Sequence, residues 1–269
     1  MPLHFLVEQP DAAAIGRESS SSLPASAEVA LRSTIADVQV GDDVVLGGAE
    51  AHHAAVVRRV RVGEEVTVGD GRGAWLTGQC EAVSPKQVVV RVSARNDVPA
   101  PSPRIVLVQA LAKGDRDELA VQSATELGVD EIVPWQSSRS VSRWDSKAEK
   151  GRARWATIAR EAAKQAHRAW LPEVSPLTTT ADLIARAAAS RLLILEPTGT
   201  RPLAGLEIDR TDGREIVLVV GPEGGFAPDE LTRFEEAGAL LVRLGDTVLR
   251  TSTAGPAAIA VVSAILGRW

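Results

Sequence analysis

Residues 216–225, which read IVLVVGPEGG, constrain the fold of this chain more than any other stretch. Five consecutive branched apolar residues are typical of a strand that is buried on both faces. The strand runs directly into a Gly-Pro-Glu-Gly-Gly turn, and the Pro-Asp-Glu sequence at 228–230 has the composition of a first helical turn. We therefore predict a strand over residues 216–220, a tight glycine loop over 221–225 and a helix over 226–236. Such a loop lets the backbone approach a ligand closely, although a tight turn without a ligand would have the same composition.

The composition indicates a soluble globular protein of one large or two ordinary domains. The chain has 269 residues, 45% of them apolar, and a net charge of −5, which gives no overall attraction to nucleic acid. Its single cysteine, Cys80, excludes an intramolecular disulfide and a cysteine-based zinc site. Residues 1–30 are polar and serine-rich, unlike a secretory signal, and the apolar stretch 254–266 is too short to span a bilayer. We expect a cytoplasmic protein.

The first third of the chain has the pattern of a small β-barrel. Short valine-rich segments separated by Gly-Asp, Gly-Gly and Ser-Pro turns fill residues 38–92, and residues 3–7 predict a first strand. Residues 19–22 are expected to form a mobile loop. His52 and His53 are adjacent, so they point to different sides of an element and make a poor metal pair. Arg58, Arg59 and Arg61 could bind phosphates or could simply decorate a surface.

Residues 98–103 predict the domain boundary. Three prolines alternate with other residues there, which favours an extended and fairly stiff connector. We therefore predict a β-barrel domain over residues 1–97, a linker over 98–103 and a second domain over 104–269.

Beyond the linker, strands alternate with helices. We predict strands over 104–110, 131–134, 191–197, 216–220 and 240–244, and helices over 115–127 and 252–266. This alternation is typical of an α/β domain with a mostly parallel sheet covered on both faces. Ligands of such sheets bind outside the carboxyl ends of the strands.

The segment between these strands carries a local positive charge. Residues 139–168 contain nine basic and three acidic residues, and four tryptophans are interleaved between 135 and 170. We predict one long helix over residues 146–170, with Glu161, Gln165 and Arg168 aligned on its outer face. Cations mixed with aromatic rings are suited to binding single-stranded or loop RNA. The alternative interpretation of this segment is an ordinary amphipathic helix with a charged, solvent-exposed face.

Three strand ends are followed by loops rich in glycine or proline, at residues 195–199, 221–225 and 244–251. We expect their strands to be neighbours in one sheet, so that the loops meet on one edge. A pocket lined with backbone donors and acceptors would suit a purine and a zwitterionic tail.

These motifs resemble a known family. The sequences GPEGGF (221–226), LGxxVLRTxTA (244–254), TELGV (125–129), EAAKQxxR (161–168) and HHxxxVxR (52–59) are similar to those of the ribosomal RNA small-subunit methyltransferase E family, RsmE, of the SPOUT class. The similarity covers nearly the whole chain. It implies a PUA-like amino-terminal barrel that binds RNA and a carboxy-terminal trefoil-knotted domain, one of the rare exceptions to unthreaded chains. This chain departs from the family pattern at Ser123, where lysine is common, and at Ser252, where an acidic residue is common.

The resemblance further implies that S-adenosylmethionine is bound by the three loops. The cofactor positions that it implies, with their immediate neighbours, are Leu195, Glu196, Pro197, Gly199, Gly221, Pro222, Glu223, Gly224, Gly225, Leu244, Gly245, Leu249, Arg250 and Thr251. Positions that face the substrate side are Lys113, Arg116, Glu126, Arg139, Glu161, Gln165 and Arg168. With Lys164, Arg58 and Arg59, the basic members of this set are the expected RNA-binding residues. The resemblance implies no metal, a homodimer, and methylation of a uridine N3 nitrogen in 16S rRNA, expected within the 30S subunit.

The implied reaction needs the uridine imide to lose a proton before or during attack, so a base or a stabilising cation would help. Arg139 and Arg168 could supply the charge. Glu223 is the acid nearest the cofactor loop, and it could act as the base, organise the loop or bind ribose. The residues alone leave these roles open.

Other functions stay open as well. A non-catalytic RNA-binding assembly factor could keep the same fold, and a related enzyme could methylate a tRNA ribose. A nucleotide-binding enzyme fits poorly, because the GPEGG loop has neither the lysine and hydroxyl of a P-loop nor the glycine spacing of a dinucleotide fold.

Overall fold

The structure is a computed structural model that describes residues 2–7 and 35–269. The loop predicted at residues 19–22 lies outside the described residues. The chain divides into two compact units. The first comprises Met1–Ala100 together with His167–Trp170, and the second comprises Pro101–Ala166 and Leu171–Trp269.

The first unit is built on a curled five-stranded sheet, as the valine-rich pattern predicts. Its strands are β1 (Leu3–Leu6), β2 (Asp43–Gly47), β3 (Glu65–Gly69), β4 (Ala74–Val83) and β5 (Gln87–Asp97), in the spatial order β1-β3-β4-β5-β2. Strand β1 pairs in parallel with β3, and the other pairs are antiparallel. A short helix α1 (Gly48–His52) and a π-helical turn (His53–Val57) follow β2.

Strand β4 bends the sheet around the core of this unit. Its register against β5 shifts between Thr77 and Gly78 and again between Cys80 and Ala82, and such bulges increase the local twist. A side chain at Gly78 would place its Cβ 2.3 Å from the Arg91 carbonyl oxygen, so only glycine fits this close approach. The buried cluster of this unit includes Phe5 and Leu76.

A short segment from later in the chain packs into this first unit. The Trp170 indole nitrogen donates to the Val98 carbonyl at 2.9 Å, and the Gly73 amide donates to the Ala169 carbonyl at 3.0 Å. The prediction of one helix through residue 170 is therefore wrong. The long helix covers Ala148–Gln165, and His167 adopts a φ of 52°, which an α-helix does not allow.

The second unit contains a seven-stranded sheet in which every neighbouring pair is parallel. Its strands are β6 (Ile105–Ala110), β7 (Glu131–Trp135), β8 (Glu173–Val174), β9 (Arg191–Leu195), β10 (Arg201–Pro202), β11 (Ile216–Val220) and β12 (Leu240–Arg243), in the order β10-β12-β9-β11-β6-β7-β8. The predicted parallel α/β sheet is confirmed.

Helices cover both faces of this sheet. They are α2 (Arg116–Glu126), α3 (Ala148–Gln165), α4 (Thr180–Arg186), α5 (Pro228–Glu236) and α6 (Thr251–Ile265). Alternate residues of β11 point to opposite sides, so Leu218 joins the core beneath α2, α3 and α6, while Val217 and Val219 join the core beneath α4 and α5. All five residues of β11 are buried, as predicted for this stretch.

A partly buried ion-pair network ties α4 to the amino ends of two strands. The Arg186 guanidinium donates to both carboxylate oxygens of Glu131 at 3.0 and 2.8 Å and to both of Glu215 at 2.6 and 2.8 Å. Burial raises the pKa of Glu131, but hydrogen bonds from Arg186 and Ser175 outweigh it and leave the pKa below its ordinary value. Glu131 begins β7 and Glu215 precedes β11, so this network fixes the strand that leads into the glycine loop.

We expect Arg186→Met to lower the free energy of unfolding by about 3 kcal/mol, because it leaves two carboxylates without their shared partner. The matched control Arg214→Met should change it by less than about 0.5 kcal/mol, since Asp212 keeps Arg191 as a partner. Urea denaturation measures both values.

The effect of Arg186→Met on the free energy of unfolding should depend on pH. A carboxylate with a depressed pKa contributes stability above its unfolded pKa of about 4.3, and this contribution is lost as the pH falls through the folded value. The difference between wild type and Arg186→Met should therefore be largest near neutral pH and shrink below about pH 4. A difference that stays constant down to acid pH would show that Glu131 is not held ionised by Arg186.

Candidate functional site

The candidate site lies at the carboxyl ends of three neighbouring strands. Strand β9 pairs on one side with β11 and on the other with β12, so the loops that follow these strands start side by side. Together they line one cavity of about 390 Å³. The predicted convergence of the three loops is therefore present in the structure.

Twelve of the fourteen residues expected to bind a cofactor line this cavity. They are Leu195, Glu196, Pro197, Gly221, Pro222, Glu223, Gly225, Leu244, Gly245, Leu249, Arg250 and Thr251. The other two lie outside the lining. The amide of Gly199 donates to the Glu196 carbonyl at 2.9 Å and so closes a turn, while Gly224 faces the side chain of Arg139.

Sequence reasoning missed several lining residues. Val220 and Val242 are buried residues of the strands themselves, and Phe226 directly follows the glycine motif. The other missed lining residues are Arg243, Thr247, Val248 and Ala254, and Arg116 was expected to contact RNA instead. Phe226 could have been predicted as a lining residue, because it is the last residue of the GPEGGF motif. A methyl group at Gly221 would lie 3.0 Å from its ring, so any side chain there would force the ring to shift.

The glycine loop is held from outside the cavity. Gly225 has a φ of 67°, and its amide donates to the Pro222 carbonyl at 2.9 Å, which closes the turn. The Arg139 guanidinium donates to the carbonyls of Gly224 and Phe226 at 3.1 and 3.0 Å. These bonds satisfy loop carbonyls that have no secondary-structure partner, so they stabilise one loop conformation.

Glu230 fixes the exit of the same loop into α5. One carboxylate oxygen accepts from the Ala227 amide at 3.1 Å, and the other accepts from the Ser138 amide and the Thr180 hydroxyl, both at 3.0 Å. Pro228 occupies the first turn of α5, as predicted, although the helix begins at Pro228 rather than at residue 226.

Glu223 projects from the glycine loop toward the segment before α2. Its Oε1 accepts from the Lys113 amide and from the Arg116 guanidinium, both at 3.1 Å. Burial raises the pKa of Glu223, but hydrogen bonds from its own amide, the Lys113 amide and Arg116 outweigh it and lower the pKa below the ordinary value. A carboxylate with a lowered pKa is a weak proton acceptor, so this geometry favours loop organisation over general-base catalysis.

The other two loops also carry internal polar contacts. The Glu196 carboxylate accepts from the amide and hydroxyl of Thr198 at 3.2 and 3.0 Å, and Arg243 pairs with Asp246 at 2.7 Å. The Thr251 hydroxyl donates to the Gly221 carbonyl at 3.0 Å and thereby joins the third loop to the glycine loop. Arg250, which precedes α6, is exposed at the cavity.

The residues expected to contact RNA differ in exposure. Arg58, Arg59, Lys113, Arg116 and Arg139 are exposed. Lys164, however, is only 4% exposed, and its ammonium lies 3.5 Å from Glu161, so it presents almost no surface to a partner. Arg168 is half-buried in the segment that packs into the first unit.

Two of the four tryptophans of the basic segment, Trp135 and Trp155, are buried and offer no stacking surface, whereas Trp144 and Trp170 are half-buried, so that for these two the expected stacking stays a prediction. Trp135 is fully buried against Phe226 and Phe234, and Trp155 is buried edge-on to Trp144 at 5.1 Å between ring centres. Their burial follows from the apolar cores on the two sheet faces, which take up large rings first. The charges remain, since Arg143, Lys147 and Lys150 are exposed.

Within residues 2–7 and 35–269, no helix combines the length and apolar character that crossing a bilayer requires. Over the same residues, histidine, cysteine, aspartate and glutamate side chains form no group of three or more that could hold a metal ion.

We expect Arg139→Met to loosen the glycine loop. Loss of two hydrogen bonds, each worth about 1 kcal/mol, should increase hydrogen exchange of the amides in residues 224–227 by roughly tenfold or more. Arg143→Met removes an exposed arginine from the same segment and should leave this exchange unchanged. Equal exchange in all three proteins would show that Arg139 does not hold the loop.

Comparison with known proteins supports the resemblance. A family model described as an RNA methyltransferase domain matches residues 99–263, and one described as an RNA methyltransferase PUA domain matches residues 46–93. A ribosomal RNA small subunit methyltransferase E from Mycobacterium bovis is 41% identical over 85% of this chain and 89% of its own length. Its counterpart from Bacillus subtilis is 29% identical over 80% of this chain and 88% of its own length.

A solved structure agrees with these sequence matches. The ribosomal RNA small subunit methyltransferase E from Neisseria gonorrhoeae, described as bound to S-adenosyl methionine, superposes with a TM-score of 0.76 and 31% identity, covering 85% of this chain and 94% of its own. The predicted fold class, an α/β SPOUT domain preceded by a small PUA-like β-domain, is confirmed. The chain belongs to the ribosomal RNA small-subunit methyltransferase E family.

Proposed function

We propose that this protein is an S-adenosylmethionine-dependent methyltransferase that methylates the N3 nitrogen of a uridine in 16S rRNA. The observation that carries the proposal is that three loops, at the ends of neighbouring parallel strands, line one cavity. The names of the relatives support the reaction class, and the uridine N3 target rests on the resemblance of the motifs.

The cavity fits such a cofactor in size and chemistry. About 390 Å³ lies within the range of small-molecule sites. The side chains of Leu195, Leu244 and Leu249 offer apolar surface for a purine, while the glycine loop and the turn after β12 offer backbone donors and acceptors. We assign cofactor binding to the twelve expected residues that line the cavity, and a supporting role to Gly199 and Gly224.

The cofactor would supply an electrophilic methyl group on a sulfonium. The residues of the chain have to align the uridine nitrogen with that methyl and exclude water. Glu223 and Arg116 restrain each other beside the cavity, so we assign Glu223 a positioning role, and the imide proton then leaves to solvent or to another group. Arg139 and Arg168 stay the proposed sources of positive charge for the developing anion.

We propose that the RNA contacts come from exposed cations of both units. In the first unit these are Arg58 and Arg59, and in the second they are Lys113, Arg116, Arg139 and the exposed cations around residues 143–150. We propose that the rRNA is methylated within the 30S subunit and that the protein acts in the cytoplasm. From the resemblance we also propose a homodimer, which sedimentation velocity would test.

The first experiment measures cofactor binding. S-adenosylmethionine at 100 times its dissociation constant should stabilise the protein by about 2.7 kcal/mol, which is roughly 5–10 °C in the unfolding midpoint. Gly221→Ala should weaken binding by about tenfold or more, because its methyl group would meet the Phe226 ring at 3.0 Å. Gly213→Ala should bind like wild type, because no atom of the described residues lies within 4 Å of the added methyl group.

Single-turnover incubation with methyl-labelled cofactor and 30S particles then tests the reaction. Label in 16S rRNA, mapped by nucleoside mass spectrometry to a uridine base, supports the proposal. Binding without transfer would instead support a non-catalytic assembly factor, and label on a tRNA ribose would identify a different substrate. No thermal shift at saturating cofactor would contradict the proposal at its first step.

The positioning role of Glu223 gives a separate prediction. The single-turnover rate should rise with pH between about pH 6 and pH 8 in both wild type and Glu223→Gln, because the uridine imide must be deprotonated. The substitution should lower the rate by less than about tenfold. A loss of about 100-fold or more would instead identify Glu223 as the base.

A further inference from the structure

Gln109 is a fully buried polar residue outside the cavity lining. It lies near the end of β6, between β11 and β7, with no exposed surface. Its amide nitrogen donates to the Ala110 carbonyl at 3.1 Å and to the Thr251 hydroxyl at 2.9 Å. Its side-chain oxygen is buried and has no hydrogen-bond partner among residues 2–7 and 35–269.

These contacts fix the orientation of the Gln109 amide. Exchanging its nitrogen and oxygen would place the oxygen against the Ala110 carbonyl, where two acceptors would repel. Because both protons of the amide nitrogen are used, the Thr251 hydroxyl accepts from Gln109. Its single proton is then directed to the Gly221 carbonyl, at 3.0 Å.

The resulting chain of hydrogen bonds ends on the peptide that opens the glycine loop. The carbonyl of Gly221 belongs to the Gly221–Pro222 peptide, whose proline nitrogen has no proton to donate. The hydroxyl of Thr251 is therefore a hydrogen-bond restraint on that peptide plane, and Gln109 sets the direction of this hydroxyl. Both Gly221 and Thr251 line the cavity, whereas Gln109 does not.

The unpaired oxygen of Gln109 indicates that this arrangement is not optimal for stability. A buried acceptor without a partner is unfavourable, and an apolar side chain of similar shape would avoid that cost. A polar residue at this position is therefore better explained by what its amide nitrogen does than by packing.

We infer that Gln109 is a positioning residue that acts through Thr251 on the Gly221–Pro222 peptide and so sets how tightly the cavity holds the cofactor. The inference rests on the proposed binding of S-adenosylmethionine. It concerns binding rather than the transfer step, because no atom of Gln109 lines the cavity.

The test combines isothermal titration calorimetry with S-adenosylmethionine and a double-mutant cycle. Gln109→Met should weaken binding by about tenfold while shifting the unfolding midpoint by less than about 3 °C. Thr251→Val should also weaken binding, and Thr251→Ser, which keeps the hydroxyl, should restore most of it. Because Gln109 acts through the hydroxyl, Gln109→Met should have almost no further effect in the Thr251→Val background. Gln122→Met, on the exposed surface of α2, is the matched control and should bind like wild type.

Additive effects of Gln109→Met and Thr251→Val, or unchanged affinity in Gln109→Met, would overturn the inference. Hydrogen exchange of the protein without cofactor provides an independent readout, since Gln109→Met should speed exchange of the glycine-loop amides and Gln122→Met should not. If wild type fails to bind S-adenosylmethionine, the proposed function is wrong, and unchanged exchange in Gln109→Met would then reject the positioning role separately.

Discussion

The parallel pairing of β9 with both β11 and β12 is the constraint on which the site depends. Loops that are well separated in the sequence, at residues 195–199, 221–225 and 244–251, begin next to one another only because these strands share one direction and one register. Strands β9 and β11 are buried on both faces, so a slip in their register would move apolar side chains of two cores at once. The sheet therefore determines where the cavity forms, and the loops determine what it can bind.

The loops themselves are shaped by contacts that come from outside the cavity. Arg139 holds the carbonyls of Gly224 and Phe226, and Glu230 holds the amide of Ala227. The Glu223 carboxylate, at the cavity itself, accepts from the Lys113 amide and the Arg116 guanidinium. These charged side chains satisfy backbone groups or one another, and much of the cavity wall consists of apolar side chains and peptide groups. A wall of this kind is suited to holding a ligand by shape and backbone hydrogen bonds.

Much of the fold was predictable because its signals are local. The run of residues 216–220 predicts a doubly buried strand, and the loops after three strands predict where a ligand site lies. The roles of polar residues were not predictable in this way. Lys164 and Arg139 are both basic residues of one charged segment, yet one is buried beside Glu161 and the other holds the glycine loop. Such differences depend on which strand or loop each side chain meets, and periodicity does not report those long-range contacts. The helix end at Gln165 was missed for a similar reason, since the segment after it packs with a unit that precedes it in the sequence.

The burial of Gln109 indicates that one core residue next to the site serves ligand binding at some cost in stability. Its neighbours in β6 are apolar and fill the two cores, as the strand requires. The side-chain oxygen of Gln109 is instead buried without a partner in the described part of the chain, while its amide nitrogen donates to the Thr251 hydroxyl. A polar side chain in a core position is unfavourable for stability. We therefore explain Gln109 by its hydrogen bond to Thr251 at the neighbouring loop rather than by packing within the sheet. The same logic applies to Arg139 and Glu230, whose polar atoms are directed to the backbone of the loop. Preorganisation of this kind transfers the conformational cost of forming the site from the binding step to folding.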